Sequence, residues 1–230
     1  NNFADAVSIV ETCACSQKEM GWARMCIHLT KNFLEATDNF QASRYKIATG
    51  LKEEVLVKAS SLRHIVSMDM SEVCETDAWL HFRNEAGLTL SVRRNTSDLN
   101  EFKDLSPWLQ PDKGAKAVLP KGLAEAAERA QVFSGENADS DMITVELSKG
   151  RLLINGKSIS GWYEETKKVN YDGRAIKFKI KPSLLIELTK RHNECEVSDT
   201  KLRVDYSKFV YVTCVNKVEE GADDESDDHE

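Results

Sequence analysis

A chain of 230 residues, 41% hydrophobic and 30% charged, can bury one large core or two of average size. It holds no apolar run near the ~18 residues that a membrane helix needs, and no charged, apolar and small-residue leader at its start, which excludes a spanning helix and gives no sign of export. The net charge of −7 is uneven: residues 219–230 carry eight acidic groups and no Lys or Arg, leaving 31 basic against 30 acidic residues, or +1, elsewhere.

In chain order, NNFADAVSIVETCACSQKE places Phe3, Val7, Val10 and Ala14 at helical spacing. The next stretch, to Ile47, reads as successive strands: Met25, Ile27 and Leu29 alternate, and Lys31 with Asn32 marks a turn before Phe33 and Leu34. A short strand at 55–58 runs into a helix capped by Ser60 or Ser61. After a polar stretch, SEVCETD, two alternating runs in WLHFRNEAGLTLSVRRN meet at a turn containing Gly87.

The proline-rich segment DLSPWLQPDKGAK, with Pro107, Pro111 and Gly114, reads as a linker, and the boundary falls near residue 115. Beyond it the pattern begins again. AVLPKGLAEAAERAQVF predicts a helix with Leu119, Leu123, Ala126, Ala127 and Ala130 on its apolar face and Pro120 in its first turn. Ile143, Val145 and Leu147 alternate with polar residues, and Lys149-Gly150 turns that strand into the next, Arg151–Ile154. GWYEETKKVNY is extended, Asp172-Gly173 is a turn, IKFKI alternates, and Lys181, Pro182 and Ser183 open the helix SLLIELTKRHN.

Both halves therefore follow the order helix, strands, helix, strands. A slide of about 123 residues sets Val57, Lys58, Ser60 and Ile65 against Ile180, Lys181, Ser183 and Leu188, as internal repeats would. The expected organisation is α+β: one unit at 1–114, a second at 115–217, and an acidic tail at 218–230. By composition that tail is solvated and disordered. It is a solubilising end, a lure for basic partners, or a brake on DNA binding.

Six cysteines, at 13, 15, 26, 74, 195 and 214, are irregularly spaced and read as reduced, mostly buried thiols of a cytosolic protein. Cys13, Cys15, Cys26 and His28 could be drawn as a zinc set, but the first two fall in a predicted helix and the others in a strand. No metal, cofactor or catalytic group is assigned. Cys26 with His28, or His64 with His81, could start a thiol-dependent enzyme, yet no oxyanion loop, nucleophile elbow or glycine-rich phosphate cradle accompanies them.

Three stretches carry a resemblance. EATDNFQASRYKI, NEFKDLSPWLQP, and LPKGLAEAAERAQVFSGENADSDMITVELSKGRLLING with Gly161–Thr166 after it resemble, in this order, segments of the DNA polymerase sliding clamps. The resemblance is to the second and third domains of the bacterial DNA polymerase III beta subunit. The likeness runs to about residue 217, by the order and spacing of motifs that are individually unspecific. It implies tandem clamp domains, each with two helices on one face of an antiparallel sheet, closing into a ring that duplex DNA threads unread. Six domains make such a ring, so a two-domain chain implies three copies, and the end of a three-domain chain implies two. With no strand before the first helix, either upstream residues are missing or the first unit is abbreviated.

The implied function is a non-enzymatic processivity factor in a bacterial or phage-infected cell's cytoplasm. Its implied partners are double-stranded DNA of any sequence, a replicative polymerase, a clamp loader and copies of itself, with no membrane. Cations on the inner helices would meet phosphates through water, the candidates being Lys18, Arg63, Lys121, Arg129, Lys190 and Arg191. A peptide-binding pocket is implied at Thr37, Asn39, Phe40, Gln41 and Ala42, with Leu105, Pro107, Trp108 and Leu109, then Ser183, Leu184, Val212 and Cys214. The chain departs from the family at Asn39-Phe40-Gln41, where glycine and a basic residue are usual. It departs again at Asn216-Lys217 and the acidic tail, which replace a short apolar end. An alternative is a scaffold that keeps the clamp fold without encircling DNA, motivated by the near-neutral body.

Overall fold

The computed structural model describes residues 2–16, 21–134 and 141–218. Contacts gather the chain into two units, residues up to Gln110 with Asp205–Val212, and Pro111–Val204 with the residues from Thr213 on. Where the sequence suggests contiguous halves, the chain thus returns to the first unit at 205–212. Hydrogen bonds explain the return: Lys46 N donates to Lys208 O at 2.7 Å, and Tyr211 Oη donates to Gln41 Oε1 at 2.8 Å.

The first unit opens with α1, Asn2–Val10, whose Ala6, Val7 and Val10 are fully buried at helical spacing. Strands β1 (Cys26–Leu29), β2 (Phe33–Thr37), β3 (Gln41–Lys46) and β4 (Val55–Lys58) follow. A later strand completes their antiparallel sheet beside β3. β1 is buried throughout rather than on alternate residues, and Met25 lies in a 3₁₀ turn before it.

β4 feeds straight into α2, Ala59–Leu62, which continues as a 3₁₀ turn, Arg63–Ser67. Neither Ser60 nor Ser61 caps this helix. Lys58 occupies the cap position with no side-chain bond, because the strand turns into helix one residue earlier than the serines. β5 (Glu72–Glu75), β6 (Trp79–Arg83) and β7 (Thr89–Arg93) form a three-stranded sheet. α3, Ser106–Leu109, with Pro107 in its first turn, closes the unit's contiguous part.

In the second unit β8, Ala115–Val118, precedes α4, Leu123–Gln131. The predicted helix is therefore shorter, and Leu119 and Pro120 lie outside it. Gly122, left-handed at φ 76°, stands at its start, a conformation glycine adopts without steric cost. The buried face is Leu123, Ala126, Ala127 and Ala130.

β9 (Ile143–Ser148), β10 (Arg151–Ser158), β11 (Gly161–Lys168), β12 (Asn170–Tyr171) and β13 (Ile176–Ile180) lead to α5, Pro182–Arg191. β14 (Glu194–Val197), β15 (Lys201–Tyr206), β16 (Phe209–Cys214) and β17 (Asn216–Lys217) end the described chain. One sheet runs β11–β10–β9–β13–β17, and β12, β8, β14 and β15 pair in that order in another. β16 is the strand beside β3.

The β9–β10 turn has Gly150 at φ 72°, and Ile143, Val145 and Leu147 are all buried. α4 and α5 pack against each other, with α4 also on β9, β10 and β11. In each unit a strand passes directly into a helix, β4 into α2 and β13 into α5. Of the acidic tail expected at 218–230, the residues from 219 on lie outside the described residues. No described helix is long and apolar enough to cross a membrane.

Candidate functional site

The β2–β3 turn is braced by its own side chains. Thr37 Oγ1 donates to Gln41 O at 2.8 Å and accepts from Asn39 N at 3.0 Å. Asp38 Oδ1 accepts from the backbone N–H groups of Phe40 and Gln41, both at 2.9 Å. Asn39 is left-handed at φ 76°, a conformation asparagine tolerates better than most residues. Its Oδ1 accepts from Arg24 Nε at 2.9 Å.

Facing this turn within the first unit is the segment 99–109. Phe102 packs on two small cores, one of Ala42, Leu105, Leu109 and Val212 and the other of Ala23, Cys26 and Leu56. Trp108 packs on the first of these. Ser106 N donates to Asp104 Oδ1 at 2.9 Å, and the Ser106 hydroxyl holds that carboxyl below the usual carboxylate range. Ser106 Oγ in turn accepts from both terminal nitrogens of Arg44 at 3.1 Å. Arg44 is paired to the buried Glu35, which also meets His28 Nδ1 at 2.9 Å.

Between turn and segment lies a cleft of about 220 Å³. Ala23, Arg24, Thr37 and Asn39 line one side; Phe102, Leu105 and Trp108 supply an apolar wall, with Glu101, Lys103 and Asp104 at the rim. A shallow apolar wall with a few fixed polar groups suits an extended peptide that anchors two or three side chains. A larger hollow of about 670 Å³ in the same unit, lined among others by Phe3, Met70 and Phe82, holds none of the predicted pocket residues.

Of the predicted pocket residues, Thr37, Asn39, Leu105 and Trp108 line the cleft. Ala42, Leu109 and Val212 form the core beneath it. Gln41 is spent on the interior: its Nε2 donates to Thr12 O at 3.2 Å, and its Oε1 accepts from Tyr211. Phe40, 41% exposed, and Pro107, also exposed, do not line the cleft. Ser183 and Leu184 belong to α5, and Cys214 to the last residues of β16; all three are in the second unit. Sequence reasoning missed Ala23, Arg24, Phe102 and Lys103. The phenylalanine stood inside a quoted motif, whereas nothing local announces that Arg24 meets Asn39.

The predicted DNA-facing cations are mostly neutralised. Arg63 Nε donates to Glu11 Oε2 at 2.6 Å. Arg129 donates to Tyr163 Oη at 2.8 Å and to Glu165 Oε2 at 2.5 Å. Arg191, its side chain 6% exposed, pairs with Glu187 at 2.8 Å, and Lys190 lies 3.8 Å from the same carboxylate. Lys121 is exposed in the turn before α4, and Lys18 lies outside the described residues.

Hydrogen bonds from Arg129, Lys167 and Tyr163 hold the Glu165 carboxyl down from 4.5 to about 2. A carboxylate so depressed stabilises the fold above pH 4.5, and that contribution fades as pH falls toward 2. Glu165→Gln is therefore expected to be less stable than the parent near neutrality. The gap in denaturant midpoints should narrow between pH 4.5 and 2.

Burial pushes the Cys26 thiol up to about 12, and its Sγ is bonded to Trp22 O at 3.4 Å. It is therefore a packed thiol and not a ready nucleophile. His81 meets Thr76 and Ser91, whereas His64 belongs to the 3₁₀ turn Arg63–Ser67. Among the described residues no three His, Cys, Asp or Glu side chains converge as metal ligands would.

No family model matches the sequence, and no curated protein matches it. Solved structures do. The chain is similar to the DnaN sliding clamp (DNA polymerase III subunit beta) of Pseudomonas aeruginosa bound to griselimycin, at 17% identity and a TM-score of 0.77, over 94% of this chain and 63% of that one. The beta sliding clamp of C. crescentus matches at 13% identity and 0.77, over 95% and 64%. The DNA polymerase III beta chain of Streptococcus pneumoniae TIGR4 matches at 18% and 0.75, over 94% and 63%. This chain thus spans under two thirds of the length of these clamps, and the likeness is one of fold.

Proposed function

We propose that this chain, which has the sliding-clamp fold, serves as a sliding clamp: a non-enzymatic factor that encircles duplex DNA as a ring of copies. It tethers a replicative polymerase in the cytoplasm of a bacterial or phage-infected cell. The observation carrying this reading is the match over 94% of the chain at a TM-score of 0.77. Two features support it. Each unit sets helices against antiparallel sheet, and the first unit offers a peptide-sized cleft at Thr37, Asn39, Phe102, Leu105 and Trp108. A clamp loader is expected to dock at the same cleft, since loader and polymerase would each present a short apolar peptide.

The test is retention on closed circular duplex DNA, after loading, followed by linearisation. A ring stays on the circle and slides off the cut molecule. Loss from both alike sinks the encircling reading. A second reading, the non-encircling scaffold, is favoured by the carboxylate partners of Arg63, Arg129 and Arg191, which leave little free positive charge to attract phosphates. It predicts peptide binding without topological retention.

Trp108→Ala is expected to weaken binding of a fluorescent probe peptide bearing adjacent Leu and Phe residues by about 10- to 100-fold. The assembly mass by light scattering should be unchanged. Leu184, in α5 of the second unit, is 7% exposed, so its truncation to Ala should cost about 2–3 kcal/mol of fold stability. Unaltered affinity in Trp108→Ala would remove the cleft from the proposal.

A further inference from the structure

The sheet β11–β10–β9–β13–β17 packs one face against α4 and leaves the other to solvent. Register and burial separate the two. Leu152, Ile154, Val145, Leu147, Ile176 and Phe178 align across strands on the buried face, where Gly156 meets the backbone of Ala130. Their alternates put Arg151, Lys157, Lys168, Lys177 and Lys179 on the open face, and the carboxylates of these strands on that face are Glu146 and Glu164. The whole chain has 31 Lys and Arg against 38 Asp and Glu, so this face inverts the balance of the molecule. Glu146 pairs with Lys177 at 3.1 Å, whereas among the described residues Arg151, Lys157, Lys168 and Lys179 have no carboxylate within 4.0 Å. The helix arginines of the same unit, Arg129 and Arg191, are each paired to a glutamate. Unpaired positive charge thus gathers on the sheet face rather than on the helices.

The cations are set apart around a neutral middle. Lys168 stands beside Arg151 at one end, Lys177 and Lys179 follow along β13, and Lys157 stands beside Trp162 at the other end. Between them lie Leu153, Asn155 and Thr144. Strand spacing makes the patch about 14 Å wide from β11 to β13, and about 20 Å long from Arg151 to Lys157. Trp162 is 67% exposed, so its indole lies open to solvent beside a cation. Separated cations, an open indole and neutral hydrogen-bonding groups together suit a flexible polyanion that carries planar rings. An acidic peptide would use the cations and leave the indole idle. A duplex would leave it idle too, because its bases are stacked inside.

We infer that this open sheet face binds single-stranded nucleic acid without regard to sequence: Arg151, Lys157, Lys168 and Lys179 take phosphates, and Trp162 stacks on a base. Each phosphate contact is exposed and weak alone, and the release of counterions from the strand makes their sum depend steeply on salt. The inference concerns the second unit alone and does not rest on the clamp reading.

Fluorescence anisotropy of a labelled oligothymidylate of about 15 nucleotides, titrated with the full chain, tests it. Binding should weaken by about tenfold or more when Arg151→Glu, Lys157→Glu and Lys179→Glu are combined, and by less than about twofold when Lys31, Lys52 and Lys113 are reversed instead. Four phosphate contacts give a slope of about −3 in log affinity against log salt, at about −0.7 for each, and the triple reversal should flatten it. Trp162→Ala should cost about fivefold or more at an unchanged slope, the size of one lost base stack, and Trp162→Phe should restore most of it. All these side chains are exposed, so the variants keep the fold.

Three results would make the face a site for any polyanion and overturn the single-strand assignment: a duplex of the same length bound as tightly and lost in the same reversal, polyglutamate displacing the oligonucleotide at equal charge, or Trp162→Ala binding like the parent. No binding at about 50 mM salt, or binding that survives the triple reversal, overturns the inference outright.

Discussion

Glu35→Ala should cost about 3–5 kcal/mol, the range for removing one partner of a buried ion pair. The Glu35 side chain is 3% exposed. It accepts from Arg44 Nε at 2.7 Å and Nη2 at 2.6 Å, and meets His28 Nδ1 at 2.9 Å. His28 Nε2 is 3.3 Å from the exposed Glu54 but is not aligned for a hydrogen bond. Removing the carboxylate leaves the Arg44 guanidinium, 17% exposed, with the Ser106 hydroxyl and a solvated Asp104 at 3.7 Å. A charge so placed has lost its neutralising partner but not its desolvation.

The companion Glu35→Leu with Arg44→Leu removes both charges and should recover most of the loss. Chemical denaturation of the three proteins measures both numbers. A single-variant loss below about 1 kcal/mol would mean that water already reaches Arg44 and that the pair behaves as a surface one. The effect should extend to the cleft, because Arg44 ties β3 to Ser106 at the start of α3, the helix that carries Trp108. Probe-peptide affinity should fall in Glu35→Ala even though Glu35 does not line the cleft.

The elements legible in the sequence were those whose signal is local. Ile143, Val145 and Leu147 alternate over a full strand, and Gly150 supplies the left-handed residue its turn needs, so the β9–β10 hairpin could be read directly. Pro182 opened α5 for the same reason. β8 was hidden because Ala115–Val118 is too short for alternation to show and takes its hydrogen bonds from β12 and β14. β5 was hidden because Glu72 and Glu75 make it look like a loop, whereas pairing with β6 makes it an edge strand.

At the site the same division holds. The Thr37–Gln41 turn is built from neighbours, and its residues were picked out together. Gln41 reads as a pocket residue because nothing nearby announces its interior partners, Thr12 and Tyr211, 29 and 170 residues away. The helix cations follow suit. Their exposed positions on helices could be anticipated, but the acids opposing Arg63 and Arg129 arrive from 52 and 36 residues off. Distance in sequence, not chemistry, separated what was read from what was not.

Gly156→Ala should lower stability by about 3 kcal/mol, toward the upper end for overpacking. That is a fall of more than about 10 °C in Tm for a unit of this size. A Cβ at Gly156 would stand 2.2 Å from Ala130 O and 3.0 Å from Ala130 C. Both are backbone atoms in the last turn of α4, so no side chain can swing aside and the helix itself must lift from β10. Ala130 is fully buried, and α4 also packs on α5, so the displacement propagates into the helix pair. Arg129, one residue away, would shift relative to Tyr163 and Glu165. Gly150→Asn is the control: its φ is 72° and nothing lies within 4 Å of the added Cβ, so its cost should stay below about 1 kcal/mol. If Gly156→Ala instead melted with the parent, α4 would not be seated by backbone contact. Under the proposed function, Gly156→Ala should also shorten retention on closed circular DNA at temperatures where it is fully folded, because the lifted helix lies on the face expected to meet the duplex. Gly150→Asn should not.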